Sequence, residues 1–302
     1  QASEAWVKRE KLPLDKRDFH SFGWIIAINA TMGRPHAAAQ ALATLAGADS
    51  PRMRDYYVVM ATLFLRATGE WSQLESLLAP IAAAPPESPS VAKSAACHGP
   101  SKPQLDWIAI NVDSVRLYAA AARHDLAEAN RLIAARVALE GRVAAQEVQW
   151  MGKVGFGREQ RFEALEDQAL RAEAARNDLG AAASWREAAT IEDLYPPAEG
   201  ADGLGGDHAL AGQAFLRASK VREAQAELEK SRKRYPGWAP TWAALGEISE
   251  KLGRSDEARR DEERAGELWK KAEPDFAPAQ KVRDWLAAHP ADATSAPAIR
   301  DR

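Results

Sequence analysis

The segment APTWAALGEISEKLGRSDEARRDEERAGELWKKA, residues 239–272, decides the fold. Small residues recur between this segment and the one before it at a spacing of 34 residues, because Gly212 is followed by Gly246 and Ala224 by Ala258. All four lie in runs whose composition favours helix. A fixed spacing of this length predicts a helical hairpin that is stacked on a copy of itself.

The types of residue in this segment agree with such a hairpin. Gly246 and Ala258 allow two helices to pass closely, whereas Trp242 and Leu245 fill the space between them. Gly253 can take the positive backbone angle that ends a first helix. Together these residues resemble the tetratricopeptide repeat, a pair of antiparallel helices that is 34 residues long.

The resemblance is clear for about 70 residues, and within them several residues differ from those typical of the repeat. In the earlier unit, Ser219 stands where the repeat has its turn glycine, and His208 replaces the usual tryptophan. In the later unit, Ser249 and Glu262 replace large apolar residues. The resemblance implies a stack of hairpins and names no ligand.

A weaker resemblance covers residues 104–272 and concerns the entry into the repeats. The run REAATIEDLYPP, residues 186–197, ends a predicted helix in the acidic pair Glu192 and Asp193, and a loop containing prolines follows. The order of helix, acidic pair and loop is similar to a pattern in some bacterial tetratricopeptide proteins. It implies a fold and no shared activity.

We therefore predict an all-α chain, a tetratricopeptide-like α-solenoid of antiparallel helix hairpins with about twelve to fourteen helices in a curved, extended stack. The expected parts are degenerate hairpins at 1–83, a proline-rich loop at 84–103, middle hairpins at 104–194, a loop at 195–206, two repeat units with a capping helix at 207–290, and a tail at 291–302. The middle part is expected to contain separate helices at 125–139, 142–154 and 158–176.

Bulk composition limits the partners. The chain has 40 basic and 43 acidic residues, a formal charge of −3, so no field of one sign attracts nucleic acid. No apolar run approaches the roughly 18 residues of a membrane span. We expect a protein or extended peptide as the partner, with no nucleic acid, no membrane span and no cofactor; the oligomeric state stays open.

The start of the chain bears on the cellular compartment. It begins at Gln1 without methionine, which a mature secreted protein or a truncated chain would both explain. We favour a periplasmic or secreted location. The single cysteine, Cys97, excludes an internal disulfide and does not decide the compartment.

Catalytic and metal-binding motifs are missing from the sequence. Cys97 and His98 are adjacent in the proline-rich loop, and no spacing typical of a zinc site is present, so they are weak metal candidates. No nucleophile motif occurs. The two glycine clusters, at 153–157 and 203–206, follow no predicted strand and indicate helix breaks rather than phosphate binding. We therefore do not expect an enzyme.

The inner surface of the predicted stack supplies the candidate binding residues. The first helix of each hairpin faces that surface in regular repeats, and this implies Gln213, Leu216 and Arg217 from one unit and Ala243, Glu247, Glu250 and Lys251 from the next.

Four polar residues in the first half are further candidates. Asn29 and Asn111 lie in similar apolar runs, and Asp113 and Arg116 are close to the second run. A buried asparagine needs hydrogen-bond partners. The four residues either satisfy one another or line the inner surface and receive a ligand.

The leading hypothesis is a non-catalytic scaffold that holds a protein or peptide on its concave face. The alternative is a carrier of a small ligand or metal that uses the inner groove and the Cys97-His98 loop.

Overall fold

The computed structural model of the protein describes residues 9–10, 19–46, 51–82, 102–196 and 204–290. Within these ranges the chain is helical and has no strand, which confirms the all-α prediction for that part. The α-helices are α1 (Phe19–Thr31), α2 (Pro35–Leu45), α3 (Pro51–Thr68), α4 (Leu74–Ala82), α5 (Lys102–Arg123), α6 (Leu126–Ala174), α7 (Asp178–Glu192), α8 (Gly206–Arg217), α9 (Val221–Arg234), α10 (Ala239–Lys251), α11 (Ser255–Leu268) and α12 (Ala277–Ala288). A short 3-10 helix, Trp71–Gln73, precedes α4.

The middle of the chain differs from the prediction of three separate helices. Helix α6 runs through the expected break near Gly141 and has one interruption, at Gly152, where φ is 74° and ψ is 163°. No proline lies between Leu126 and Ala174, and glycine alone lowers helix stability without ending a helix. The glycine cluster at 153–157 therefore does not break the helix, and the break lies just before it.

The hairpins end in the same turn. In the three-residue connections after α8 and α10, the middle residue has a positive φ, which is 59° at Ser219 and 70° at Gly253. The next backbone N–H then bonds to the carbonyl five residues back, as Lys220 does to Phe215 at 2.8 Å. The prediction that Gly253 ends its helix in this way is confirmed. The same bond follows Gly33, His124 and Arg176.

The recurring small residues mark helix crossings, as the sequence predicts. A Cβ atom on Gly212 would lie 2.5 Å from Leu228 Cγ of the paired helix α9. A Cβ atom on Gly246 would lie 2.8 Å from Glu262 Cγ of α11. Both distances are shorter than real contacts, so each crossing requires glycine.

Helices that are adjacent in the chain pack against one another from α1 to α12. Apolar side chains between them form successive clusters, and Trp185 on α7 is the largest side chain that is completely buried. The helices therefore bury their apolar faces against their neighbours along the series. None of the described helices is both long and apolar enough to cross a membrane.

The first hairpin also contacts the segment between α11 and α12, so the described series closes on itself. The Glu273 N–H donates to the Gly33 carbonyl at 2.9 Å, and the Trp269 indole donates to the Thr31 carbonyl at 3.2 Å. Gly33 has a φ of 71° and lies against the Phe276 ring. These contacts join residues about 240 positions apart, and the patterns in the sequence did not predict this closure.

Candidate ligand-binding site

A cavity of about 790 Å³ lies between α8, α10 and α12. Ala67 of α3 contributes to its wall, and so do Trp269 and Phe276 from the closing segment. This volume lies within the range of sites for small molecules or short peptide segments. Its apolar lining consists of Ala67, Leu216, Pro240, Ala243, Ala244, Trp269, Phe276, Pro278, Val282 and Trp285.

The residues predicted for the inner surface of the two repeat units converge on this cavity. They lie three or four positions apart on α8 and on α10, and that spacing places them on one face of each helix. The lining contains Gln213, Leu216, Arg217, Ala243, Glu247, Glu250 and Lys251.

Two charged groups at the cavity are already paired. Arg217 donates from Nε to Asp178 Oδ1 and from Nη2 to Glu173 Oε1, both at 2.8 Å. Burial by itself lowers the pKa of Arg217, but these carboxylates outweigh it and raise the pKa. Lys251 Nζ lies 3.5 Å from Glu247 Oε1 in an exposed pair. Arg217 is thus a fixed part of the wall, whereas Lys251 and Glu247 are free to rearrange.

Glu262 enters the cavity from the outer helix α11. Its residue is 6% exposed, and it forms no hydrogen bond or ion pair with any described residue. Oε2 is completely buried without a partner. Burial raises the pKa of Glu262 to about 7; Lys281 opposes this shift, and Glu250, Asp261 and Glu247 add to it. The cavity therefore contains a carboxyl group that titrates near neutral pH.

The two candidate asparagines lie away from this cavity. Asn29 Nδ2 donates to the Ile25 carbonyl of its own helix at 2.7 Å. Asn111 Nδ2 donates to Asp55 Oδ1 at 2.7 Å and lines a separate cavity of about 210 Å³. Each amide is satisfied locally, and the structure does not bring the two together.

Asp113 and Arg116 also lie elsewhere. Arg116 Nη2 is 3.2 Å from Glu75 Oε2 of α4. Burial raises the pKa of Asp113, and Arg131 is the cation that opposes this shift most strongly. The structure thus gives Asn29, Asn111 and Arg116 partners outside their own group of four.

Smaller cavities of about 250, 210 and 280 Å³ share Arg66 and Leu204. The Arg66 guanidinium lies 4.5 Å from the centre of the Tyr118 ring. Asp207 Oδ2 is buried without a partner, and burial together with the nearby Glu166 raises the Asp207 pKa well above its usual value. These groups form a polar interior behind the large cavity.

The acidic pair at the end of α7 joins this helix to the first repeat unit. Glu192 Oε2 accepts the Asp207 N–H at 2.8 Å, which caps α8. Asp193 Oδ2 lies 3.1 Å from His208 Nε2, and Glu227 Oε2 lies 2.6 Å from His208 Nδ1. The pair is thus a structural junction in this protein.

Potential metal ligands give little support for a metal site. Cys97 and His98 lie outside the described residues, as does most of the proline-rich loop. Among the described residues, His36, Glu273 and Asp275 form a group with ligand spacing. Both Glu273 oxygens are already occupied by backbone N–H groups of α2. That carboxylate therefore acts as a helix cap.

No protein-family model matches the chain, and neither does any curated protein or solved structure compared with it. The function is therefore interpreted from the geometry of the cavity.

Sequence reasoning missed several of the groups at the cavity. It noted Glu262 only as a departure from the repeat, although an acid at an apolar position was a usable signal. Trp269 and Phe276 reach the cavity through the closing contact, and Lys281 and Trp285 reach it from α12. No periodicity in the sequence connects these residues to α8.

Proposed function

We propose that the protein is a non-catalytic scaffold, built as a tetratricopeptide-like α-solenoid, that holds an extended peptide or protein segment in the large cavity. Two features support the interpretation of the fold as a helical repeat: the common hairpin turn at Ser219 and Gly253, and the close helix crossings at Gly212 and Gly246. These features recur at the 34-residue spacing.

The observation that carries the proposal is the convergence of two first helices on one cavity. Gln213 and Arg217 of α8 face the same space as Glu247, Glu250 and Lys251 of α10. Polar groups at the mouth and an apolar wall suit a chain that exposes backbone amides and presents side chains to the interior.

A carrier of a small ligand is the second candidate. The closing contact of Trp269 and Phe276 with the first hairpin gives the cavity an additional wall, which an open stack would lack. The metal version of this candidate is tested by elemental analysis of the untagged protein, in which a carried ion should approach full occupancy.

Selection of phage-displayed random peptides on the immobilised protein, followed by calorimetry on the best sequences, tests the scaffold. Ala243→Trp fills the cavity from α10 and should weaken the selected peptides at least about tenfold. Ala287→Trp places the same side chain on an exposed position of α12 outside the cavity and should leave affinity unchanged.

Circular dichroism of both variants checks that the helices are retained. Reversing the charges of Arg217 and Glu247 is a less clean test, because Arg217 is also bound by Glu173 and Asp178. Peptide affinity that is equal in Ala243→Trp and wild type would remove the large cavity as the binding site.

A further inference from the structure

We propose that the cavity recognises a primary ammonium group on an apolar stem, as in a lysine side chain of the bound peptide, and that Glu262 is the group that binds it. The inference rests on the proposed peptide-binding function and names the chemistry of the ligand. Its support comes from the position, isolation and surroundings of one carboxyl group.

Glu262 occupies a core position of the hairpin. It lies 34 residues after Leu228, which is completely buried against Gly212 in the preceding unit. Glu262 crosses the equivalent glycine, Gly246, in the same way. Because Gly246 has no side chain, the carboxyl group reaches past α10 to the cavity on its inner side.

The isolation of Glu262 is costly for the free protein. A buried polar group without a hydrogen-bond partner lowers the free energy of unfolding by about 1–3 kcal/mol, and by more if it is charged. A leucine at this position would avoid that loss, as Leu228 does one unit earlier. The carboxyl group therefore lacks an ion-pair partner among the described residues, and a ligand in the cavity can supply a counter-charge.

Acidic groups on two neighbouring helices favour a cation at this position. Glu247 and Glu250 lie on α10 and Asp261 lies on α11, and all three raise the pKa of Glu262. Lys281 on α12, which also lines the cavity, opposes them and forms no ion pair with Glu262. A ligand ammonium group that binds Glu262 would favour its ionised form and lower its pKa.

The geometry favours ammonium over guanidinium. Oε2 is completely buried, so a ligand in the cavity can contact at most one carboxylate oxygen, Oε1. Bidentate pairing with guanidinium uses both carboxylate oxygens, whereas an ammonium group can bind one. Leu216, Val282 and Trp285 line the same cavity and would contact the methylene groups that carry the ammonium group.

The peptide selection described above also tests this inference when it is repeated with Glu262→Gln, which keeps the size of the side chain and removes its charge. Wild type should enrich peptides that contain lysine. The best of them should bind about tenfold more weakly to Glu262→Gln, and acetylation of its lysine should weaken binding to wild type by a similar factor. Glu263→Gln removes an exposed acid of the same helix that pairs with Arg259 and does not line the cavity, and it should bind like wild type.

A second measurement uses no peptide. The carbon NMR signal of the Glu262 carboxyl group, assigned in wild type by through-bond correlation to the Glu262 backbone amide, should titrate at lower pH after addition of pentylamine. N-acetyl-lysine amide should act in the same way, and its ε-acetylated form should have no effect. This titration also decides the inference if Glu262→Gln does not fold.

The outcomes separate the two proposals. Peptides without enriched lysine, or equal binding by Glu262→Gln, would overturn the ammonium inference and leave the peptide scaffold intact. If wild type selects no peptide but pentylamine lowers the pKa of Glu262, the scaffold fails and a small amine is the ligand. If pentylamine and the lysine amide leave the titration unchanged, the inference is wrong.

Discussion

Glu273 caps the helix that begins beside His36, and this contact joins the two ends of the described series. Glu273 Oε2 accepts the His36 N–H at 3.0 Å and lies 2.6 Å from His36 Nδ1, while Oε1 accepts the Ala37 N–H at 3.2 Å. One carboxylate from the end of the series therefore satisfies the orphan donors at the start of α2.

Glu273→Ala should lower the free energy of unfolding by about 1 kcal/mol, the usual cost of losing a helix cap. Urea denaturation measures the change. Asp275→Asn is the control, because Asp275 is exposed and only approaches His36 at 4.0 Å, so its removal should have little effect. Equal stability of Glu273→Ala and wild type would contradict the role of the closing contact.

The closing contact should be most stable between about pH 4.5 and 6.5. Burial alone raises the Glu273 pKa, but the N–H groups of His36 and Ala37 outweigh it and the net shift is below 4.5. This contribution is present above pH 4.5 and is lost as pH falls through the folded pKa. The hydrogen bond to Glu273 raises the His36 pKa above 6.5, so the contribution of His36 is lost as pH rises through that value. The difference in stability between wild type and Glu273→Ala, measured against pH, should follow this window.

Hydrogen bonds to Glu227 and Asp193 should favour the protonated form of His208 in the folded protein. Burial lowers its pKa, but the carboxylates of Glu227 and Asp193 outweigh burial and raise the pKa above 6.5. The stabilisation is therefore complete below pH 6.5 and is lost as pH rises through the folded pKa. His208→Gln should cost on the order of 3 kcal/mol at pH 6, because it leaves Glu227 buried without this partner. Lys230→Ala, which removes the exposed partner of Glu227, should cost much less.

Gly212→Ala should destabilise the protein by about 1–3 kcal/mol, because the new methyl group would overlap Leu228 and approach the Ala224 carbonyl oxygen at 3.2 Å. Gly141→Ala is the matched control inside α6, where a Cβ atom would meet no atom within 4 Å. This second change should stabilise by about 0.5–1 kcal/mol. Thermal denaturation of the two variants should therefore shift in opposite directions.

Ser219→Gly should stabilise the protein by up to about 1 kcal/mol, since a residue with a side chain is strained at the φ of 59° found there. The greater freedom of glycine in the unfolded chain reduces this gain. Gly253→Ala is the reverse change at the equivalent turn, where φ is 70°, and should destabilise. A loss of stability in Ser219→Gly would indicate that the turn is held by other contacts.

Glu262→Leu should stabilise the free protein, and more at pH 8 than at pH 5. The folded pKa of about 7 lies above the ordinary glutamate value of 4.5, so wild type loses stability as pH rises from 4.5 to 7. A shift of this size corresponds to about 3 kcal/mol between the two limits. The exposed neighbour Glu263, changed to leucine, should alter stability by less than about 0.5 kcal/mol. A pH dependence that is the same in wild type and Glu262→Leu would show that Glu262 does not titrate as described.

The local features of the fold could be predicted because they depend on neighbouring residues. Helical spacing predicted that Gln213 and Glu247 lie on the helix faces that meet at the cavity. The recurring small residues predicted the close helix crossings at Gly212 and Gly246. Turn geometry was predictable at Gly253, although Ser219 shows that the same turn forms without glycine.

The closure could not be predicted from the sequence. Gly33 and Phe276 meet because the angles between all the intervening helices together bring the two segments into contact. No local sequence pattern specifies the combined effect of these angles. The wall of the cavity that Trp269 and Phe276 form depends on this closure, so that part of the candidate site had no sequence signal. Glu262 did have a sequence signal, since an acid stands where the repeat has an apolar residue. No described residue forms an ion pair or hydrogen bond with it.

The contact between Gly33 and Glu273 also affects how the molecule loses its structure. In an open array of hairpins the end units fray first, because each lacks one neighbour. Here the first and last units support each other, and neither is a free end within the described chain. Hydrogen exchange should therefore show unfolding that is more cooperative than in an open array, and opening this one seam should restore fraying from both sides.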